Sequence, residues 1–149
     1  MQSLVLTSHC FSARHNFVAA LLTKPKFCNV FMGRLNSFVA DSKFGSGDNV
    51  GEKATLATQR ELLALRKAGR SETNLIGASV RTGAQIGDLA GVDVKTATKD
   101  GKIPVYATWK NRLASGQIGL DALMNLSARQ SFVTDQTALD DRIRSMVKG

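Results

Sequence analysis

Residues 104–126, PVYATWKNRLASGQIGLDALMNL, constrain the fold of this chain more than any other stretch. Pro104 suits the first position of a helix, where its missing N–H is not needed. An apolar stripe follows at helical spacing, formed by Val105, Trp109 and Leu113. Gly116 stands where a helix would end in a left-handed residue. An apolar pattern then resumes with Ile118, Ala122, Leu123 and Leu126. The stretch therefore predicts a helical hairpin that turns at Gly116.

The residues before this hairpin also favour helices. Residues 52–68 have leucines on one side and basic residues at their end, and Gly69 follows as a stop signal. Ser71 is an N-cap candidate for a short helix that runs through Leu75, Ile76 and Val80 to Thr82. Residues 92–103 are predicted to form a loop or a small hairpin arm, because Asp100 and Gly101 are a turn signal.

The end of the chain predicts a last helix. Thr134 or Asp135 is a suitable N-cap, and an apolar stripe follows it at helical spacing, formed by Leu139, Ile143, Met146 and Val147. Together these patterns predict an all-α fold, a small multi-helix domain over residues 52–149.

The first 51 residues look different from the rest. Residues 1–40 contain no Asp or Glu and are rich in Phe and Ser, which is typical of an organellar transit peptide. A true translation start at Met32 explains this composition equally well, because residues 1–31 would then be an upstream segment that the fold does not need. We therefore expect residues 1–40 to be a poorly structured leader and residues 41–51, which are rich in glycine, to be a linker. The expected compartment is the cytoplasm, or an organelle matrix if the leader is a transit peptide.

The charge and the cysteines exclude several classes of function. The net charge is +8, but the four basic residues of the leader account for +4, so residues 41–149 carry only the other +4. Both cysteines and both histidines lie within the first 28 residues, so the body can build neither a disulfide framework nor a histidine-based catalytic site. No phosphate-binding loop or dinucleotide fingerprint is present. The sequence indicates no enzyme, no cofactor, no metal, no small-molecule substrate and no membrane span.

Two runs of the body suggest a family. The runs IGASVRTGAQIGDLAGV and IPVYATWKNRLASGQIGLDALMNL resemble the actinobacterial domain of unknown function 222, the helical module of the 13E12 repeat proteins that usually precedes an HNH endonuclease. The run LASGQIGLDAL is the most specific part of this resemblance. The body lacks histidine, so the resemblance implies an isolated or truncated copy without the nuclease. It implies a non-catalytic helical module that associates with DNA.

Two functions remain open as alternatives to the non-catalytic module of the 13E12 repeat type. The run IGDLAGVDVKTATKDGKIP resembles the helix-turn-helix of excisionase-type DNA binders, although residues 93–100 are short for a recognition helix. The other alternative is an imported organellar subunit that docks the Trp109 face on a larger protein partner. If DNA is bound, we expect phosphate contacts from basic residues that otherwise form a solvated face, namely Lys95, Lys99, Lys102, Lys110 and Arg112.

Overall fold

The computed structural model describes residues 7–96 and 107–147. The chain divides into two compact units, Met1–Lys102 and Ile103–Gly149. In the first unit the described elements are β1 (Thr7–His9), α1 (Ala13–Leu22), β2 (Phe27–Phe31), α2 (Met32–Asp41), α3 (Val50–Lys67), β3 (Asn74–Ala78), α4 (Gly83–Asp88) and β4 (Val94–Thr96). In the second unit they are α5 (Ala107–Ala114) and α6 (Leu120–Val147).

The prediction of an all-α fold is wrong. The four strands form one parallel sheet in the order β1-β2-β3-β4, which makes the first unit an α/β structure. Residues 75–80, predicted as a helix, instead belong to β3 and the loop that follows it. A short apolar run fits a buried strand as well as a buried turn of helix, and here the pairing with β2 decides in favour of the strand.

Strands that are neighbours in sequence are also neighbours in space. Right-handed crossovers between such strands place their helices on one face of the sheet. The core on that face joins Cys28, Val30 and Leu75 of the strands to Leu62 and Leu65 of α3. A Cβ atom at Gly77 would lie 3.2 Å from Thr55 and 3.3 Å from Leu89, so the lack of a side chain there lets the helical layer approach the sheet.

Asp93 fastens the start of β4 to its neighbours. One carboxylate oxygen accepts the backbone N–H of Leu75 at 2.9 Å, and the carboxylate also pairs with Arg66 at 2.9 Å and accepts the amide of Gln59 at 3.1 Å. Burial acts to raise the pKa of Asp93, but the hydrogen bonds from Arg66, Leu75 and Gln59 outweigh it and hold the pKa below its ordinary value. Asp93 thus links β4 to β3 and α3.

Residues 7–41 do not form a poorly structured leader, and that part of the prediction is also wrong. They supply β1, α1, β2 and α2. Ser12 caps α1 by accepting the N–H of His15, and the buried Asn16 donates to the carbonyl oxygens of Cys10 and Ser12. The acid-free composition had suggested a targeting segment, yet its apolar residues are part of the sheet and its core.

The segment between α2 and α3, within residues 41–51, is closely packed against α2. A Cβ atom at Gly47 would lie 2.2 Å from the carbonyl oxygen of Asn36, and one at Gly51 would lie 2.2 Å from that of Met32. Two of the three glycines that predicted a flexible linker, Gly47 and the helical Gly51 at the start of α3, therefore permit close backbone contact. The segment joins two helices inside the first unit.

The second unit contains two helices on either side of Gly116, which has a φ of +72°. The guanidinium group of Arg112 lies 4.8 Å from the centre of the half-buried Trp109 ring. The last helix does not begin at Thr134 or Asp135, because α6 is continuous from Leu120. Thr134 donates to the carbonyl oxygen of Gln130 in mid-helix and caps nothing. No Gly or Pro interrupts residues 120–147.

Candidate anion-binding site at the carboxyl edge of the sheet

The basic residues predicted from the sequence are spread over both units. Lys95 lies in β4, and its ammonium group donates to the carbonyl oxygen of Val92 at 3.4 Å. Lys110 and Arg112 lie in α5 of the second unit. Lys99 and Lys102 lie outside the described residues. DNA association through these residues stays a prediction.

A different basic site forms where β2 and β3 end. The carboxyl ends of neighbouring parallel strands meet at one edge of a sheet, and Phe31 and Ala78, the last residues of β2 and β3, are paired in register. An arginine stands three positions beyond each of them, Arg34 and Arg81. The sequence pattern places Arg34 in the leader and gives Arg81 no role, because the two arginines reach the same edge of the sheet only through the pairing of β2 with β3.

Gly33 brings the two segments into contact. A Cβ atom at this position would lie 2.4 Å from the carbonyl oxygen of Ser79 and 2.8 Å from Nε of Arg81. A side chain at this position would overlap the loop between β3 and α4, so the first turn of α2 lies directly against that loop. One turn further along α2, the hydroxyl of Ser37 accepts a hydrogen bond from Nη1 of Arg81 at 2.7 Å. The Arg81 side chain therefore runs along the N-terminal turns of α2.

The first turn of α2 has an unusual charge for its position. Negative side chains are favoured at a helix N-terminus, where the backbone N–H groups give a partial positive charge. Here the first turn has no acidic residue but contains Arg34, and the N-cap residue, Phe31, makes no side-chain capping bond. The guanidinium group of Arg34 lies 4.9 Å from the centre of the Phe31 ring. This edge therefore has two arginines, Arg34 in the first turn of α2 and Arg81 along the first two turns of the same helix.

The loop that contains Arg81 begins with an uncommon backbone conformation. Ser79 is fully buried and has a φ of +63°. A left-handed conformation costs a residue other than glycine roughly 1–2 kcal/mol. Residues held in this way are concentrated at functional sites, where the surrounding structure maintains them. At the same point the N–H of Val80 donates to the carbonyl oxygen of Thr96, so the loop stays attached to β4.

A network of amides around Glu52 holds this loop in place. The side-chain oxygen of Gln85 accepts the backbone N–H groups of Arg81 and Thr82 at 2.8 and 3.2 Å. The amide nitrogen of Gln85 donates to Glu52 at 2.7 Å, and Asn36 donates to the same carboxylate at 2.9 Å. Glu52 is buried in the first turn of α3. One carboxylate thus connects α2, α3 and the start of α4, and it fixes the backbone of Arg81.

Polar groups on the sheet face opposite the helices lie near the same edge. His9 and Asn29 are paired in register, so their side chains share that face, and the His9 ring stacks on Phe31 with centroids 5.6 Å apart. Desolvation lowers the pKa of His9, so its imidazole is neutral at pH 7. Asn29 is nine-tenths buried, and its side-chain oxygen has no hydrogen-bond partner among the described residues. A buried acceptor of this kind is costly and calls for a donor.

Comparisons with protein-family models, curated proteins and solved structures give no match to this chain. In residues 7–96 and 107–147, no three His, Cys, Asp or Glu side chains are close enough to hold a metal ion together. In those same residues, no helix has the length and apolar character needed to cross a membrane.

Proposed function

We propose that the first unit binds a small molecule that carries a phosphate group, and that Arg34 and Arg81 contact the phosphate. The observation that carries this proposal is the close packing of Gly33 against Ser79 and Arg81, which places an arginine from each of two strand ends beside the start of α2. Arg81 is exposed and Arg34 half-buried, so a ligand can reach both side chains.

The charges at this edge suit phosphate. A phosphate monoester carries nearly two negative charges at pH 7 and has three acceptor oxygens. A guanidinium group offers several N–H donors in a planar fork that matches such oxygens. The N-terminus of α2 adds backbone donors and a partial positive charge. A carboxylate would use only part of this arrangement.

The position of the site in the fold also supports a ligand. In parallel α/β proteins ligands bind beyond the carboxyl ends of the strands, in barrels and at the switch points of doubly wound sheets. The site shares this carboxyl edge, and Gly33 brings its two segments together without a switch point, since the strand order is consecutive. Asn29 lies two residues before the end of β2, about 7 Å from it at the usual rise of a strand. Its amide and the neutral His9 can hydrogen-bond hydroxyl or carbonyl groups. We therefore expect a phosphorylated compound with a polar organic part.

Isothermal titration of the full chain with glycerol 3-phosphate tests the proposal, with glycerol as the ligand lacking phosphate. We expect binding of the first compound only. R81A removes charged hydrogen bonds and should weaken binding about 10- to 100-fold, since each contributes about 1.5–3 kcal/mol. R81K keeps the charge but loses the planar fork and should fall between R81A and the wild type.

R70A is the matched control, because Arg70 is an exposed arginine that lies before β3, at the opposite edge of the sheet. It should bind glycerol 3-phosphate as the wild type does. Equal losses in R70A and R81A would mean that only the overall positive charge attracts the ligand. That result, or a wild-type chain that binds no phosphate compound, would overturn the proposal.

A further inference from the structure

The second half of α6 carries an exposed apolar stripe. Leu123 and Met124, near the start of the helix, are fully buried. Further along, large apolar side chains are about half exposed, namely Phe132 (53%), Leu139 (51%), Ile143 (45%) and Met146 (65%). An exposed series of this kind on one helix is characteristic of a surface that another helix covers.

The spacing of the stripe identifies the kind of helix that covers it. Phe132, Leu139 and Met146 are seven residues apart, and Gln136 and Ile143 lie between them, so the intervals are four, three, four and three. This is the repeat of a two-stranded coiled coil, with Gln136 and Ile143 at one core position and the other three residues at the second. We call residues 132–146 the α6 seam.

We propose that the α6 seam binds the seam of a second copy of this chain in antiparallel orientation. In this alignment Phe132 lies opposite Ile143 of the second copy, and Gln136 lies opposite Leu139 of the second copy. The charged residues that flank the core then decide the orientation. Asp135 is next to Arg142 of the second copy, and the twofold symmetry repeats this contact, which gives two ion pairs.

A parallel alignment has the wrong charges. It would place Asp135 beside Asp140 of the second copy, again twice. Like charges in these positions oppose association. The charge pattern of α6 therefore complements itself only when the two helices run in opposite directions.

The flanking charges are available for such contacts. Asp135 and Arg142 are exposed, and within residues 7–96 and 107–147 neither forms an ion pair. The pair that α6 forms within itself, Arg144 with Asp141 at 3.2 Å, lies on the side away from the seam in the heptad register. Asp140 accepts the amide nitrogen of Gln136 at 2.7 Å, which gives one N–H of that polar core residue a partner.

Sedimentation velocity of the full chain, from low micromolar to several hundred micromolar, tests the proposal. We expect a reversible dimer in the wild type and a monomer at all these concentrations in L139D/I143D. Both residues are exposed, so the double variant should keep the circular dichroism spectrum of the wild type. A wild type that remains monomeric, or a double variant that still dimerises, would overturn the proposal.

Charge exchange tests the orientation. D135R replaces two attractive contacts by two arginine pairs in the antiparallel dimer, so the dimer dissociation constant should rise on the order of tenfold. R142D should have a similar effect, and D135R/R142D should return to within about threefold of the wild type. In a parallel dimer D135R would instead face Asp140 of the second copy and strengthen association. Tighter association of D135R would therefore refute the antiparallel arrangement.

Discussion

Substitution of Gly33 by alanine should lower the affinity of the proposed phosphate site more than it lowers the stability of the fold. The added methyl carbon would lie 2.4 Å from the carbonyl oxygen of Ser79, whereas ordinary contact begins near 3.4 Å. The start of α2 and the loop before α4 must therefore move apart by about 1 Å, the difference between these two distances. This movement displaces Arg34 from Arg81.

The expected change in stability is small because two effects oppose one another. Overpacking costs about 1–3 kcal/mol, whereas alanine in place of glycine within a helix stabilises by about 1 kcal/mol. The free energy of unfolding should fall by about 0–2 kcal/mol. The affinity for glycerol 3-phosphate should fall more, about 10- to 100-fold, because one of the two arginines loses its contact with the phosphate.

Urea denaturation gives the stability of G33A, and isothermal titration gives its affinity. G87A is the matched control, since Gly87 also lies in a helix and a Cβ atom there meets nothing within 4 Å. G87A should gain up to about 1 kcal/mol in stability and bind like the wild type. If G33A also binds like the wild type, the contact between α2 and the β3–α4 loop does not shape a phosphate site.

The free energy of unfolding should decrease as the pH falls through the lowered pKa of Asp93 in the folded chain. In the unfolded chain this carboxyl has a pKa of about 3.9, so it takes up the proton more readily than in the folded chain. Urea titrations at several pH values should show a smaller pH dependence in D93N. E52Q should destabilise the chain by about 1–3 kcal/mol, because one carboxylate oxygen becomes an NH2 group, which cannot accept from Asn36 or Gln85; unchanged thermal unfolding would contradict this. If DNA is bound through α5, K110A and R112A should each weaken the binding of duplex DNA by the full chain. Each should also lower the slope of log binding constant against log salt by the amount that corresponds to about one phosphate contact. An absence of binding at low salt would exclude DNA association.

The sequence predicted helices more successfully than strands. Gly69 and Gly116 marked real helix ends, since both adopt a positive φ that glycine accepts readily. Strands β2 and β3 have only five residues each. The three central residues of β2 are buried on both faces, and β3 has an apolar residue, Ile76, on the face opposite its buried Leu75, so neither strand shows the alternating pattern of an exposed sheet. Nothing local distinguishes such runs from a buried turn of helix.

The site was harder to predict than the fold. Arg34 and Arg81 are 47 positions apart in the sequence (81 minus 34), and only the pairing of β2 with β3 brings them to one edge. Arg34 was also set aside with the N-terminal residues, whose lack of acidic residues suggested a targeting signal. The exposed stripe of α6 was missed for a simpler reason, because the helix was expected to begin near residue 134 and Phe132 then lay outside it.

The distance in sequence between the two arginines also has a consequence for folding. Contacts between residues so far apart form only after a long loop has closed, so an unfolded chain does not contain the phosphate site. A ligand that binds only the native state stabilises it by mass action, by about 2.7 kcal/mol at a hundred times its dissociation constant. A phosphorylated compound at that concentration would thereby lower the unfolded population of this protein about 100-fold.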